Sequence, residues 1–90
     1  MWRRPRDARQ LGQAVSDLRK LRGMTQEELA EWLSVDRTTV VRLEAGTLNA
    51  LQRLMAALSV LGADLVVIER TASMTVTESA QPLRSGEQRD

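Results

Sequence analysis

Residues 25–46 read T-Q-E-E-L-A-E-W-L-S-V-D-R-T-T-V-V-R-L-E-A-G, and this stretch decides the fold. Thr25 with Glu28 three residues later is a capping box, so a helix starts there. Leu29, Ala30 and Leu33 recur at helical spacing and mark its inner face. Ser34-Val35 is a turn. Asp36 is placed to cap a second helix, which runs to about Ala45 and is stopped by Gly46. Val40 and Leu43 form the inner face of that second helix. Two short helices across a tight turn make a bihelical unit.

Outward from this unit, further helices are expected on both sides. On the N-terminal side, Asp7-Ala8-Arg9-Gln10 is another capping box, followed by Leu11, Ala14, Val15, Leu18 and Leu21 at helical spacing. Gly23 ends that helix, with Arg19, Lys20 and Arg22 in its last turn. On the C-terminal side, Asn49 is expected to cap a helix with Gln52 as its capping-box partner. Leu51, Leu54, Met55, Leu58 and Leu61 give it a broad apolar face, and Gly62 closes it. The period then changes. A-D-L-V-V-I-E-R, residues 63–70, is short and β-branched and reads as a strand. Leu65 and Val67 face one way, Val66 and Ile68 the other. The chain offers no second strand of similar quality, so the expectation is a twofold dimer in which this strand pairs with its copy. Residues 71–90 are polar and without period, and read as a disordered tail.

Composition narrows the function. Ninety residues fit one domain, and a core of that size favours oligomerisation. The chain has no cysteine and no histidine. Disulfides, Cys/His zinc sites and the commonest general base are therefore absent. No phosphate loop, nucleophile elbow or H-E-x-x-H signature occurs, so the expectation is a non-enzyme without cofactor or metal. No apolar run nears the roughly 20 residues that span a bilayer, and the N-terminus lacks a signal-peptide core; a cytoplasmic protein is expected. Net charge is only +1, but its distribution is uneven. Residues 1–46 carry nine Lys/Arg against seven Asp/Glu, and residues 47–90 four against five. Arg3, Arg4, Arg6 and Arg9 crowd the N-terminus, so residues 1–6 read as a basic arm, either a nucleic-acid contact or a solubilising tail.

The segment Thr25–Gly46, with its flanking helices, closely resembles the Xre/Cro-type helix-turn-helix family, and the resemblance covers residues 7–62. Ser34 stands where that family usually has Gly at a positive φ. The resemblance implies that the third helix enters the DNA major groove by its N-terminal end. Arg37, Thr38, Thr39 and Arg42 match the base-reading positions. An Arg fork suits guanine O6 and N7, and Thr suits polar edges or a thymine methyl. Thr39 has the alternative of serving only the helix N-terminus. Gln26 matches a phosphate contact, and Thr25 and Asn49 are caps within reach of phosphate. Arg19 and Glu44 match a pair that joins the first helix to the third. Trp32 falls beside the inner face, either partly buried or an anchor for a protein partner.

Four helices, then residues 63–70 as one strand, then a polar tail, look like the HipB-type antitoxins. This resemblance implies a mainly α fold whose single short β-strand, Leu65, Val66, Val67 and Ile68, pairs across a homodimer. It implies a palindromic double-stranded DNA operator and a HipA-type serine/threonine kinase toxin as partners. A stand-alone regulator without a toxin shares the same DNA chemistry. A protein-interaction module on this scaffold is a third reading, against which Arg37, Arg42, Gln26 and the basic arm speak.

Overall fold

Thr25 and Asp36 start their helices as their side chains direct. The structure, a computed structural model, describes residues 1–70. The elements, in order, are β1 (Trp2–Arg3), α1 (Ala8–Leu21), α2 (Gln26–Leu33), α3 (Arg37–Ala45), α4 (Asn49–Val60) and β2 (Val67–Ile68). At α2 the capping box closes in both directions: Glu28 N donates to Thr25 Oγ1 at 3.1 Å and Thr25 N donates to Glu28 Oε1 at 2.8 Å. At α3, Thr39 N donates to Asp36 Oδ1 at 2.9 Å. Ser34 between them has φ 59°, ψ 42°, the left-handed conformation the turn requires. A side chain there costs about 1 kcal/mol against glycine, and Val35 N bonding back to Ala30 O at 3.0 Å closes the turn.

Two other helix starts depart from expectation. Asp7 caps α1 by accepting from Gln10 N at 2.8 Å, but Gln10 Oε1 reaches past the cap to Arg6 N at 2.7 Å. Asn49 is not a cap. Leu48 holds that place with no side-chain bond, and Asn49 is the first helical residue. The reason lies in the preceding turn. Gly46, at φ 74°, and Thr47 bond back to Leu43 O and Arg42 O at 3.1 and 3.0 Å, so α3 ends tightly and one extended residue suffices before α4. Gln52, expected in a capping box, instead donates to Gly46 O at 3.1 Å and ties α4 to the end of α3.

The interior is built from α1 laid on α3 and α2 on α3. Val40 is fully buried, and Ala8, Ala14, Ala30 and Met55 are buried too. The small residues set the spacing. A Cβ on Gly12 would collide with the α3 backbone, lying 2.5 Å from Leu43 O and closer still to Glu44 O. A Cβ on Gly46 would lie 2.5 Å from Arg9 Cα and 2.6 Å from Ala8 O. The axis of α1 therefore crosses α3 at backbone contact in two places.

The apolar face expected on α4 is only partly used. Met55 is buried and Leu51 and Leu58 are half-buried, but Leu54, Val60 and Leu61 stand in solvent, the last two 85% and 76% exposed. Leu21 and Leu33, expected on inner faces, are also largely exposed, each being the last residue of its helix.

The strand expectation needs correction. The sequence reads residues 63–70 as one strand, with Leu65, Val66, Val67 and Ile68 pairing to a second copy and no partner in the chain. Only Val67–Ile68 forms a ladder, and its partner is the N-terminal arm: β1 and β2 run antiparallel with Trp2 opposite Ile68 and Arg3 opposite Val67. Glu69 N continues the pairing to Met1 O at 3.0 Å. Two residues are too few to show a period, so the arm carried no strand signal. Leu65 and Val66 precede the ladder. The tail at residues 71–90 lies outside the described residues.

The α1–α3 crossing gives a stability prediction. Gly12→Ala should destabilise the fold by about 1–3 kcal/mol through overpacking, although alanine favours a helix over glycine by about 1 kcal/mol. Urea unfolding measures it. A neutral or stabilised variant would mean that the helices do not meet there.

Candidate nucleic-acid interface

The exposed side of α3 carries Arg37, Thr38, Val41 and Arg42 together. Its N-terminus is fixed by Asp36, whose Oδ1 accepts from both Thr39 N and Thr39 Oγ1, the latter at 2.8 Å. These two bonds, backbone first, hold the Asp36 carboxyl below the ordinary aspartate value. Thr39 is half-buried and its hydroxyl is taken up by the cap. Of the four residues matched to base reading, three thus stand exposed and the fourth serves the helix start. The Arg42 side chain has no hydrogen bond or ion pair among the described residues, and Val41 beside it is 38% exposed.

Arg37 is not free. Its Nη2 donates to Gln26 Oε1 at 3.1 Å, and its Nε lies 3.4 Å from Glu27 Oε2. Gln26 is half-buried at the start of α2, and its Nε2 donates to Glu44 Oε1 at 3.1 Å. Glu44, near the end of α3, receives Arg19 Nε at 2.6 Å and Arg19 Nη2 at 3.1 Å, while Arg19 Nη1 donates to Met24 O at 2.8 Å. The matched pair of Arg19 and Glu44 is therefore a two-pronged ion pair, with side chains only 10% and 7% exposed. Hydrogen bonding from Arg19 keeps the Glu44 carboxyl below the ordinary glutamate value against the opposing effect of burial; Gln26 and Ser16 add to it. Glu44 in turn raises the Arg19 guanidinium. One polar line, Arg19–Glu44–Gln26–Arg37, joins α1, the end of α3, the start of α2 and the start of α3.

The remaining matched residues are more scattered. Thr25 Oγ1 is engaged in the capping box. Asn49 is exposed at the start of α4. The basic arm is folded onto the body rather than free: Arg3 Nη2 lies 3.3 Å from Asp17 Oδ2 and Arg4 Nη1 3.7 Å from Asp64 Oδ2. Arg6 and Arg9, with Gly46, Thr47, Gln52 and Met55, line an open groove of about 570 Å³ beside the α3–α4 turn. Arg9, placed on α1 by its sequence, thus joins Arg6 there, while Arg3 and Arg4 go elsewhere. Trp32 is 81% exposed, so the partial burial that its spacing allowed is not found. Glu27, which the sequence did not single out, meets Arg37 across the turn, where no spacing rule applies. Among the described residues no helix is long and apolar enough to cross a membrane.

A family profile described as a helix-turn-helix domain matches residues 10–71, more than half of the chain. No curated protein and no solved structure matches it.

The lowered Glu44 carboxyl makes stability depend on pH. A carboxyl lowered in the folded state contributes fully above its unfolded value of about 4.3 and is lost as pH falls through the lowered one. Glu44→Gln should cost about 3 kcal/mol at neutral pH and flatten the acid limb of the urea midpoint between roughly pH 5 and 2. An equally steep limb in the variant would contradict the assignment.

Proposed function

This chain belongs to the helix-turn-helix domain family, and from that membership we propose a sequence-specific, dimeric transcriptional repressor that is the antitoxin of a HipA-type kinase toxin. It binds a palindromic operator and autoregulates its operon. The observation that carries the DNA reading is the exposed group of Arg37, Thr38 and Arg42 on a helix whose placement is fixed by a buried ion pair. A rigid frame presenting guanidinium donors suits base edges in the major groove. Gln26 at the start of α2, Thr25, Asn49 and the arginines Arg6 and Arg9 supply backbone contacts that set position rather than preference.

Dimer formation is supported by what the single chain leaves uncovered. Leu54, Val60 and Leu61 on α4 and Val66 before β2 are exposed apolar residues. Among the described residues the two-stranded sheet has β1 on one side of β2 and an unpaired edge on the other. A copy pairing there, through Val67 and Ile68, would give a four-stranded ribbon and remove the edge. The antitoxin role rests on the resemblance of this layout to HipB-type proteins. Trp32 offers the toxin a large exposed aromatic surface on α2. A stand-alone regulator remains the second reading, and co-purification with the product of a neighbouring kinase-like gene separates the two.

Two expected outcomes test this. Arg42→Ala is the cleaner probe of base reading, because Arg42 has no side-chain bond of its own to lose. It should cost about 1–3 kcal/mol on the operator and relax preference at one base pair; equal losses on operator and random duplex would remove it as a reader. Sedimentation velocity should show twice the chain mass for the wild type and a monomer for Leu54→Glu/Leu61→Glu. A monomeric wild type would overturn the dimer.

A further inference from the structure

Arg37 has five N–H donors in a planar fork, and the structure uses them unevenly. The edge formed by Nε and Nη2 faces two acceptors, Glu27 Oε2 at 3.4 Å and Gln26 Oε1 at 3.1 Å. Both acceptors belong to the first two residues of α2. The Gln26 amide is not free to flip, because its Nε2 is spent on Glu44 and its oxygen is left facing Arg37. Among the described residues the opposite end of the fork, Nη1 with the second N–H of Nη2, has no partner. That end holds two parallel donors, the arrangement that meets guanine O6 and N7 together.

We infer that Glu27 is a positioning residue for base reading: with Gln26 it braces the side of the Arg37 guanidinium, so that its end-on donor pair is presented to a guanine. The inference rests on the reading of Arg37 as a base contact. The brace acts in two ways. It removes rotamers that a long, solvated arginine would otherwise sample, which favours the one geometry that discriminates bases. It also places a carboxylate next to the arginine, and the phosphates of any duplex repel that carboxylate. The first effect widens the gap between specific and non-specific binding; the second weakens every duplex. The ion pair is solvent-exposed, with side chains 57% and 66% accessible, so it contributes little to folding. Its removal can therefore be read in DNA binding without a change in stability.

A simple competitor role for Glu27, in which it must release Arg37 before DNA binds, predicts something different. Loss of the carboxylate would then tighten the operator at least as much as random duplex.

The test uses the full chain and duplexes selected from a random pool by the wild type. Affinity is measured at one fixed salt for the selected duplex, for the same duplex with the Arg37-dependent G·C pair changed to A·T, and for random duplex. Arg37→Ala identifies that pair. Glu27→Gln should tighten random duplex by about twofold to fivefold and lower the G·C over A·T preference at that pair by about twofold to fivefold, the range one exposed ion pair supplies. Other positions and the thermal midpoint should stay unchanged. In the Arg37→Ala background, Glu27→Gln should no longer alter preference at that pair. If Glu27→Gln tightens every duplex equally, with preference intact, Glu27 is only a repelling charge and the brace is refuted. If Arg37→Ala itself leaves all preferences intact, the base-reading role of Arg37 fails first, and the two failures are distinguishable.

Discussion

The buried pair of Arg19 and Glu44 is the interaction on which the rest of the structure depends. Burying two charges is costly unless their donors and acceptors are used. Here the carboxylate receives two prongs of the guanidinium and the Gln26 amide, and the third prong takes the Met24 carbonyl. The pair thereby connects α1, the loop before α2, the first residue of α2 and the last turn of α3. Glycines at 12 and 46 let the helices come close enough for this to happen. The exposed end of α3 inherits its position from contacts made at its buried end. A small domain with little apolar interior gains in this way the rigidity that a reading surface needs.

The same small interior explains why assembly belongs to the account. Few large side chains are fully withdrawn from water, and α4 rests only lightly on α1. Leu54, Val60 and Leu61, with Val66 before β2, remain exposed in one chain. In the proposed dimer a second copy covering them would add core without lengthening the sequence, and it would place two copies of α3 about one symmetry axis. The β1–β2 ladder changes how that interface is pictured. It shows β2 already supported on one side within its own chain, so a copy would extend an existing sheet rather than create one.

Local chemistry was legible in the sequence, and contacts across the chain were not. The capping box at Thr25, the cap at Asp36 and the glycine stop at 46 are written in residues a few positions apart, and the structure has all of them; the left-handed Ser34 was expected only from the family resemblance. The bihelical unit follows from them. The Arg19–Glu44 pair was reached only through family resemblance, since nothing local links residues 25 apart. Asn49 misled because a good capping residue fell one place inside its helix, where a tight turn had already set the start. The β1 strand was invisible because two residues carry no period and an arginine-rich arm reads as solvated. Glu27 escaped notice for a related reason: on a helix surface a glutamate is ordinary, and only the fold brings it to Arg37.

The central claim is that α3 reads guanine edges in a major groove, twice, about one symmetric site. Methylation interference on the chain's own promoter tests it most directly, because methylation of guanine N7 blocks the acceptor that an arginine fork requires. Interference is expected at guanines in two symmetric half-sites, with centres about 34–36 Å apart or a multiple of that. Tight binding to that promoter without interference from any guanine N7 methyl group would contradict it.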